Sequence, residues 1–182
     1  INFTIPETEL TVPMIQSGFG DGLYPAYWAF DKDGQPVQLI QLKHHIKQKG
    51  NLTDSSADLW RTLKVWIDSL AQKPELLDST EFLIITTAIA PENSAAGYLK
   101  QNDRDPNTAY TKLKDVCKQS QNAAHKKYYD AFLSADQLTV KKLFEHIYIV
   151  DGASNILDVE KIVKTFNLIK ESDKLKQNFK NY

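Results

Sequence analysis

One cysteine, one methionine, few glycines and no long apolar run characterise this chain by omission. The lone Cys117 excludes a disulfide framework and any cysteine-based metal pattern, so a reducing, cytoplasmic setting is expected. It is expected to be a small buried hydrophobe. No stretch approaches the ~20 apolar residues of a membrane span, and no signal-peptide pattern opens the sequence, so no membrane partner is expected. Charge of one sign is missing too: 22 Lys and Arg oppose 23 Asp and Glu, for a net charge of −1. Nucleic-acid binding therefore has to rest on a local basic face. Gly18-x-Gly20-x-Gly22 lacks a following Lys-Ser/Thr, which argues against a phosphate-binding loop.

What is present reads as one globular domain over residues 1–182, with an atypical N-terminal hairpin segment (1–40) and a C-terminal helix or linker (157–182). The first 20 residues are extended and turn-rich. "GLYPAYWAFDKDGQPVQLIQLK" predicts a β-hairpin around Asp31-Lys32-Asp33-Gly34, and Pro25 argues that its first strand is an edge or is bulged. In its second strand Val37, Leu39, Gln41 and Lys43 share one face, and Gln38, Ile40 and Leu42 the other. A helix follows, with Asp54, Ser55 and Ser56 as cap candidates, Leu59, Leu63, Trp66, Ile67 and Leu70 at helical spacing, and Pro74 beyond its end. Trp60 and Trp66 fall on different sides of it, one for the sheet and one for an adjacent helix. "EFLIITTAI" (81–89) predicts a strand covered on both faces. Helices follow near 94–100, 107–120 and 123–133, with another from about Ser134 on a Ser-Ala-Asp-Gln capping pattern. "FEHIYIVDG" (144–152) predicts a second buried strand, and "DVEKIVKTFNLIKES" an amphipathic helix. The fold class is α/β: a mixed central sheet flanked by helices.

Gln41-x-Lys43 places an amide oxygen and an ammonium on one strand face, about 7 Å apart by strand rise. With a carboxylate from the neighbouring strand, that set can hold a hard divalent cation and an attacking water. The lysine can orient the water or offset charge growing on a phosphate. The bland reading is a solvated strand end, and both stand at this point. His44 and His45 read as surface or phosphate-facing residues, and His125 and His146 as incidental or core-satisfied. Lys112, Lys114, Lys118, Lys126 and Lys127 form either a phosphate-tracking stripe or an ordinary solvated helix face.

"QLKHH", "NLTDSSADLWRTLKVW" and "LIITTA", with "RDPNTAYTKL" and "IYIVDGASNILDVE" further on, resemble the nuclease domain of CBASS-type antiphage effector endonucleases. These belong to the restriction-endonuclease-like PD-(D/E)xK superfamily. The likeness runs from about residue 37 to 160. It implies a restriction-endonuclease-like sheet and Mg²⁺- or Mn²⁺-dependent hydrolysis of double-stranded DNA in bacterial antiviral defence. It also implies that Gln41 takes the (D/E) position and Lys43 the lysine position, with the Leu42 carbonyl as a further metal ligand. The family's upstream acid is expected from the preceding strand, yet "LYPAYWAF" holds none. Asp21 is favoured for that role, ahead of Asp31 and Asp33, which are tied to the turn; Glu7 and Glu9 lack a convincing helix. "SGFGDGLYPAYWAFDKDGQPVQLI" instead resembles a small bacterial domain of unknown function with a Gly-Asp-Gly-x-Tyr-Pro-x-Tyr-Trp signature. The alternative function is thus a catalytically silent binding or immunity-type module.

Two expectations complete the reading. Lys43, taken as an exposed strand-end residue, should be replaceable by Ala with loss of cleavage and little loss of stability. A nuclease of this kind must also be gated, so a larger parent chain with an oligomerising sensing module is expected, linked through the helix bearing Lys170, Lys174, Lys176 and Lys180.

Overall fold

The structure, a computed structural model, describes residues 2–4, 11–17, 24–31, 33–43, 50–102, 104–153 and 167. Six strands form one mixed sheet in sequence order: β1 (Asn2–Thr4), β2 (Thr11–Ser17), β3 (Tyr24–Phe30), β4 (Pro36–Lys43), β5 (Glu81–Thr86) and β6 (Ile147–Val150). The first four run antiparallel to one another, and β4, β5 and β6 run parallel. Parallel neighbours need long crossovers. Here the first is α1 (Ala57–Gln72) with the short α2 (Leu76–Ser79), and the second holds α3 (Pro106–Gln119), α4 (Lys126–Ser134) and α5 (Gln137–His146). The α/β expectation is met.

The β3–β4 hairpin forms for local reasons. The Asp31 carboxylate accepts from the backbone N–H groups of Asp33 and Gln35, and Gly34 supplies φ +76°, which its neighbours would adopt only with strain. Pro25 does not mark an edge, because β3 is paired on both sides. It sits next to the strand's first residue, where a missing N–H costs least. The irregularity in this pairing lies at Ala29/Phe30 instead.

β5 is buried on both faces, as its unbroken apolar run requires. One face, with Leu39, Phe82, Ile84, Ile147 and Ile149, packs on the helices. Trp66 meets Phe82 edge-on at 5.3 Å, while Trp60 points the other way, onto Tyr129 and Phe132 of α4 at 4.7 and 5.7 Å. The two tryptophans thus divide between sheet and helix as the spacing predicts. The opposite face gathers Ile40, Leu42, Leu83 and Ile85. On it Gln38 donates its amide to Asn167 Oδ1 at 2.8 Å and to Glu81 at 3.3 Å.

Three boundaries differ from expectation. Ser134 closes α4 rather than opening α5. The cap of α5 is Asp136, whose carboxylate accepts from the Thr139 N–H and hydroxyl, since an Asp side chain reaches that N–H from the position just before the helix. The strand expected from Phe144 starts only at Ile147, because Phe144–His146 still belong to α5. The segment 94–100 holds a single 3₁₀ turn, Gly97–Leu99. The expected helix beyond Ile156 lies outside the described residues except at Asn167, which is helical.

Candidate functional site

In open α/β sheets the ligand-binding crevice lies beyond the carboxyl ends of the parallel strands. In this chain those ends are Lys43, Thr86 and Val150. Strand parity sends Gln41 and Lys43 to the same face as Leu39, toward the helices, while the Leu42 side chain enters the opposite apolar face. Lys43 pairs in register with Thr86, and the Thr87 N–H donates to the Lys43 carbonyl. Thr86 turns its hydroxyl to the Ala88 N–H, tightening the turn that ends β5.

Neither motif residue is solvated. Gln41 is 3% and Lys43 4% exposed, which overturns the solvated strand end and the expectation of an exposed Lys43. A strand's last residue is usually wet; this one is buried within electrostatic reach of Asp58 and Arg61 of α1. Burial pushes the Lys43 ammonium down to about 8, against the nearby Asp58 carboxylate, which favours the charged form, and with the Arg61 guanidinium, which disfavours it. Asp58 is itself 9% exposed.

Asp58 is the site residue that sequence reasoning missed. It stands in the first turn of α1, where an acidic residue is routine because it suits the helix dipole. The sole signal was its spacing: Asp58 lies one residue before the apolar stripe that begins at Leu59, so it borders the buried face.

The stretch around Leu52–Ser56 explains why α1 starts where it does. Ser56 occupies the cap position, but its hydroxyl accepts from the Thr53 N–H at 2.8 Å and donates to the Asn51 carbonyl. Asp54 holds two distant elements: its carboxylate accepts from Ala95 N–H at 2.6 Å, and its carbonyl from Trp60 Nε1 at 2.7 Å. The backbone around Gly50–Leu52 also pairs with Ile89, extending the β4–β5 pairing past the strand ends. These bonds fix the start of α1, and with it Asp58 and Arg61, which act on Lys43. The later motif segments are supports of the same kind. Arg104 donates to the carbonyls of Phe144, Glu145 and Ile147 and stacks 4.3 Å over Tyr148, Asp105 caps α3, and Asp151 binds Ala90 N–H and Lys100.

Other candidates resolve as follows. Asp31 is tied to its turn as expected. Cys117 is buried and its thiol is pushed up to about 12, the behaviour of an inert hydrophobe. His125 lies 3.3 Å from the Tyr129 hydroxyl. Four of the five lysines of the expected stripe have separate partners: Lys112 and Lys114 lie by Tyr98 and Tyr110, Lys126 pairs with Asp130, and Lys127 lies over Tyr128. Asp21, His44, His45, Glu7, Glu9 and the glycine triplet lie outside the described residues. Of the expected metal ligands the structure therefore describes Gln41 and Leu42. Among the described residues no group of three or more His, Cys, Asp or Glu gathers, and no helix is long and apolar enough to cross a membrane.

Residues 1–41 match a family described as a protein of unknown function, DUF4241. The match spans β1 to β3 and ends at Gln41, inside β4, and it includes the Gly20-Asp21-Gly22-Leu23-Tyr24-Pro25 signature. It covers fewer than a quarter of the 182 residues and brings no activity with it. No curated protein matches the chain.

Proposed function

We propose that this chain is a metal-dependent endonuclease module that hydrolyses phosphodiester bonds in double-stranded DNA. The observation that carries this reading is the burial of Gln41, Lys43 and Asp58 at the carboxyl end of a parallel strand. An amide, an amine and a carboxylate in a covered place cost folding free energy unless they are satisfied, and such groups concentrate where chemistry needs them. The resemblance in "QLKHH" and "NLTDSSADLWRTLKVW" supplies the reaction class.

The donors of the described site are hard oxygens, the kind Mg²⁺ accepts while keeping most of its waters. Gln41 Oε1 and the Leu42 carbonyl would hold the ion, with Asp21 as the proposed third ligand. The bound ion would supply a polarised phosphate and an activated water. Lys43 would place its ammonium against the phosphate and offset charge developing there. Asp58 would hold that amine in position beneath α1.

A second reading is favoured by the same pair: Lys43 and Asp58 could serve only to fasten α1 to β4, leaving a silent binding module. Incubation with supercoiled plasmid separates the two. With Mg²⁺ or Mn²⁺ the plasmid should be nicked and linearised, and EDTA should stop the reaction. An intact plasmid under every metal condition, including after forced oligomerisation on a coiled coil, would sink the nuclease reading and leave the binding module. The defence role, the cytoplasmic setting and a sensing partner within a larger chain belong to this proposal too.

A further inference from the structure

Beside the buried site, two exposed cations share one aromatic ring. Arg61, on α1, donates Nε to the Tyr128 hydroxyl at 3.2 Å, and Lys127, on α4, holds its ammonium 5.0 Å from the centre of the same ring. Both side chains belong to exposed residues, whereas Tyr128 is buried between them. The platform beneath is stiff, because Trp60 packs edge-on against Tyr129 and Phe132 and locks α1 to α4. Arg61 lies three residues after Asp58, hence on the same side of the helix, and its charge is felt at Lys43. The row therefore runs from the covered amine outward to Arg61 and on to Lys127. Of the acids on α1 and α4, Asp68 is taken by Lys64 and Asp130 by Lys126, while Asp58 stands near Lys43 at the inner end of the row.

We infer that Arg61 and Lys127, braced on Tyr128, form a landing for consecutive phosphates of a polynucleotide, whose backbone they lead toward Lys43. This rests on the nuclease reading and adds the path by which substrate arrives. In a chain with net charge −1, two cations gathered on one rigid ring are worth more than the same two spread out. Their field adds locally, and neither side chain has to be ordered anew on binding.

The test is fluorescence anisotropy of a labelled DNA duplex in EDTA, which keeps the probe uncut, titrated with protein over a series of salt concentrations. The same titration uses an RNA duplex. The double variant Arg61→Ala, Lys127→Ala should bind at least about tenfold more weakly at low salt. Its slope of log K against log salt should be shallower by about 2, one unit for each phosphate that is no longer neutralised. Arg61→Lys should keep most of the slope. Lys127→Glu alters an exposed side chain without disturbing the core and should weaken binding further. Equal losses on RNA would support the landing and widen the substrate. Wild-type protein that binds duplexes, with the double variant and Lys127→Glu matching it in affinity and slope, would overturn the landing and leave the nuclease reading intact. Wild-type protein that neither binds nor cuts would remove both.

Discussion

On the face of β4 that carries Ile40 and Leu42, apolar side chains continue to the end of the strand, whereas on the face of Leu39 they give way to Gln41 and Lys43. Both faces are covered to the same degree, so exposure to water does not explain the change. From Ile40 onward that face keeps the aliphatic run of a buried parallel strand, with its polar residue, Gln38, lying nearer the start. The Leu39 face breaks that run only at its carboxyl end, near the first turn of α1. Local rules tend to be broken where a site needs a group that the core does not. The two faces therefore divide the labour: one holds the sheet together, and the other holds a buried amine and amide in place.

The largest effect should come from the apolar face. Leu83 is fully buried among Ile40, Leu42 and Ile85, so Leu83→Ala should cost about 2–5 kcal/mol of stability, read from urea unfolding. Plasmid cleavage per folded molecule should not change. A large fall in cleavage at full folding would show that the faces are not separable.

Lys43 gives the reciprocal case. Its pKa falls from 10.5 to about 8, so between those values the unfolded chain binds more protons than the folded one. Stability should therefore rise with pH from about 8 to about 10.5, by an amount on the order of 3 kcal/mol. Below pH 8 both states are protonated and the burden on the fold is constant. Lys43→Met keeps most of the volume and should abolish that rise, seen as the difference between the two stability–pH curves. Cleavage should drop at least about 10²-fold. Lys43→Ala is the poorer probe, because it also opens a hole in a covered site.

Two glutamines sharpen the contrast at smaller scale. Gln38 spends its amide on Asn167 and Glu81, so Gln38→Leu should cost about 1 kcal/mol and leave cleavage alone. Gln41→Leu should differ in the assay: metal-dependent cleavage should be lost. If the two variants behave alike in the plasmid assay, the polar end of β4 carries no special role.

Much of this architecture was legible in the sequence because periodicity reports it directly. Alternation over Val37–Lys43 assigned the two faces, the run Phe82–Ile85 marked a doubly covered strand, and the spacing of Trp60 and Trp66 separated helix from sheet. The misreadings share a physical cause. Lys43 looked solvated because a lysine at a strand end is wet by default, and only the crossover helix that packs above it decides otherwise. Asp58 went unmarked, since nothing local shows that Lys43 of β4 comes near it. Pro25 signalled an edge or a bulge, and β3, paired on both sides, carries its irregularity at Ala29/Phe30 rather than at the proline. In each case the deciding interaction is made by a segment distant in sequence. Asp54 is similar: a cap by type, its carboxylate reaches Ala95, 41 residues away.

The finest test of the comparison is Asp58→Asn, which leaves the shape of α1's first turn intact and removes one charge. Asp58 favours the protonated form of Lys43, opposing the stronger effect of burial. Without it the Lys43 pKa should fall below about 8, and the pH-dependent rise in stability should begin correspondingly lower. The upper end, set by the unfolded chain, should stay put. Leu83→Ala should leave the onset of that rise where it is, because its cavity lies on the other face and carries no charge. Cleavage by Asp58→Asn should weaken most near neutral pH, where a larger share of Lys43 has lost its proton, and recover as the pH is lowered. Arg61→Gln should move the onset the other way, since its charge disfavours the ammonium. Opposite shifts from two residues of one helix would show that the first turn of α1 sets the charge state of the lysine beneath it. Identical onsets in the wild type and both variants would mean that burial alone does so, and that Asp58 is an ordinary first-turn acid.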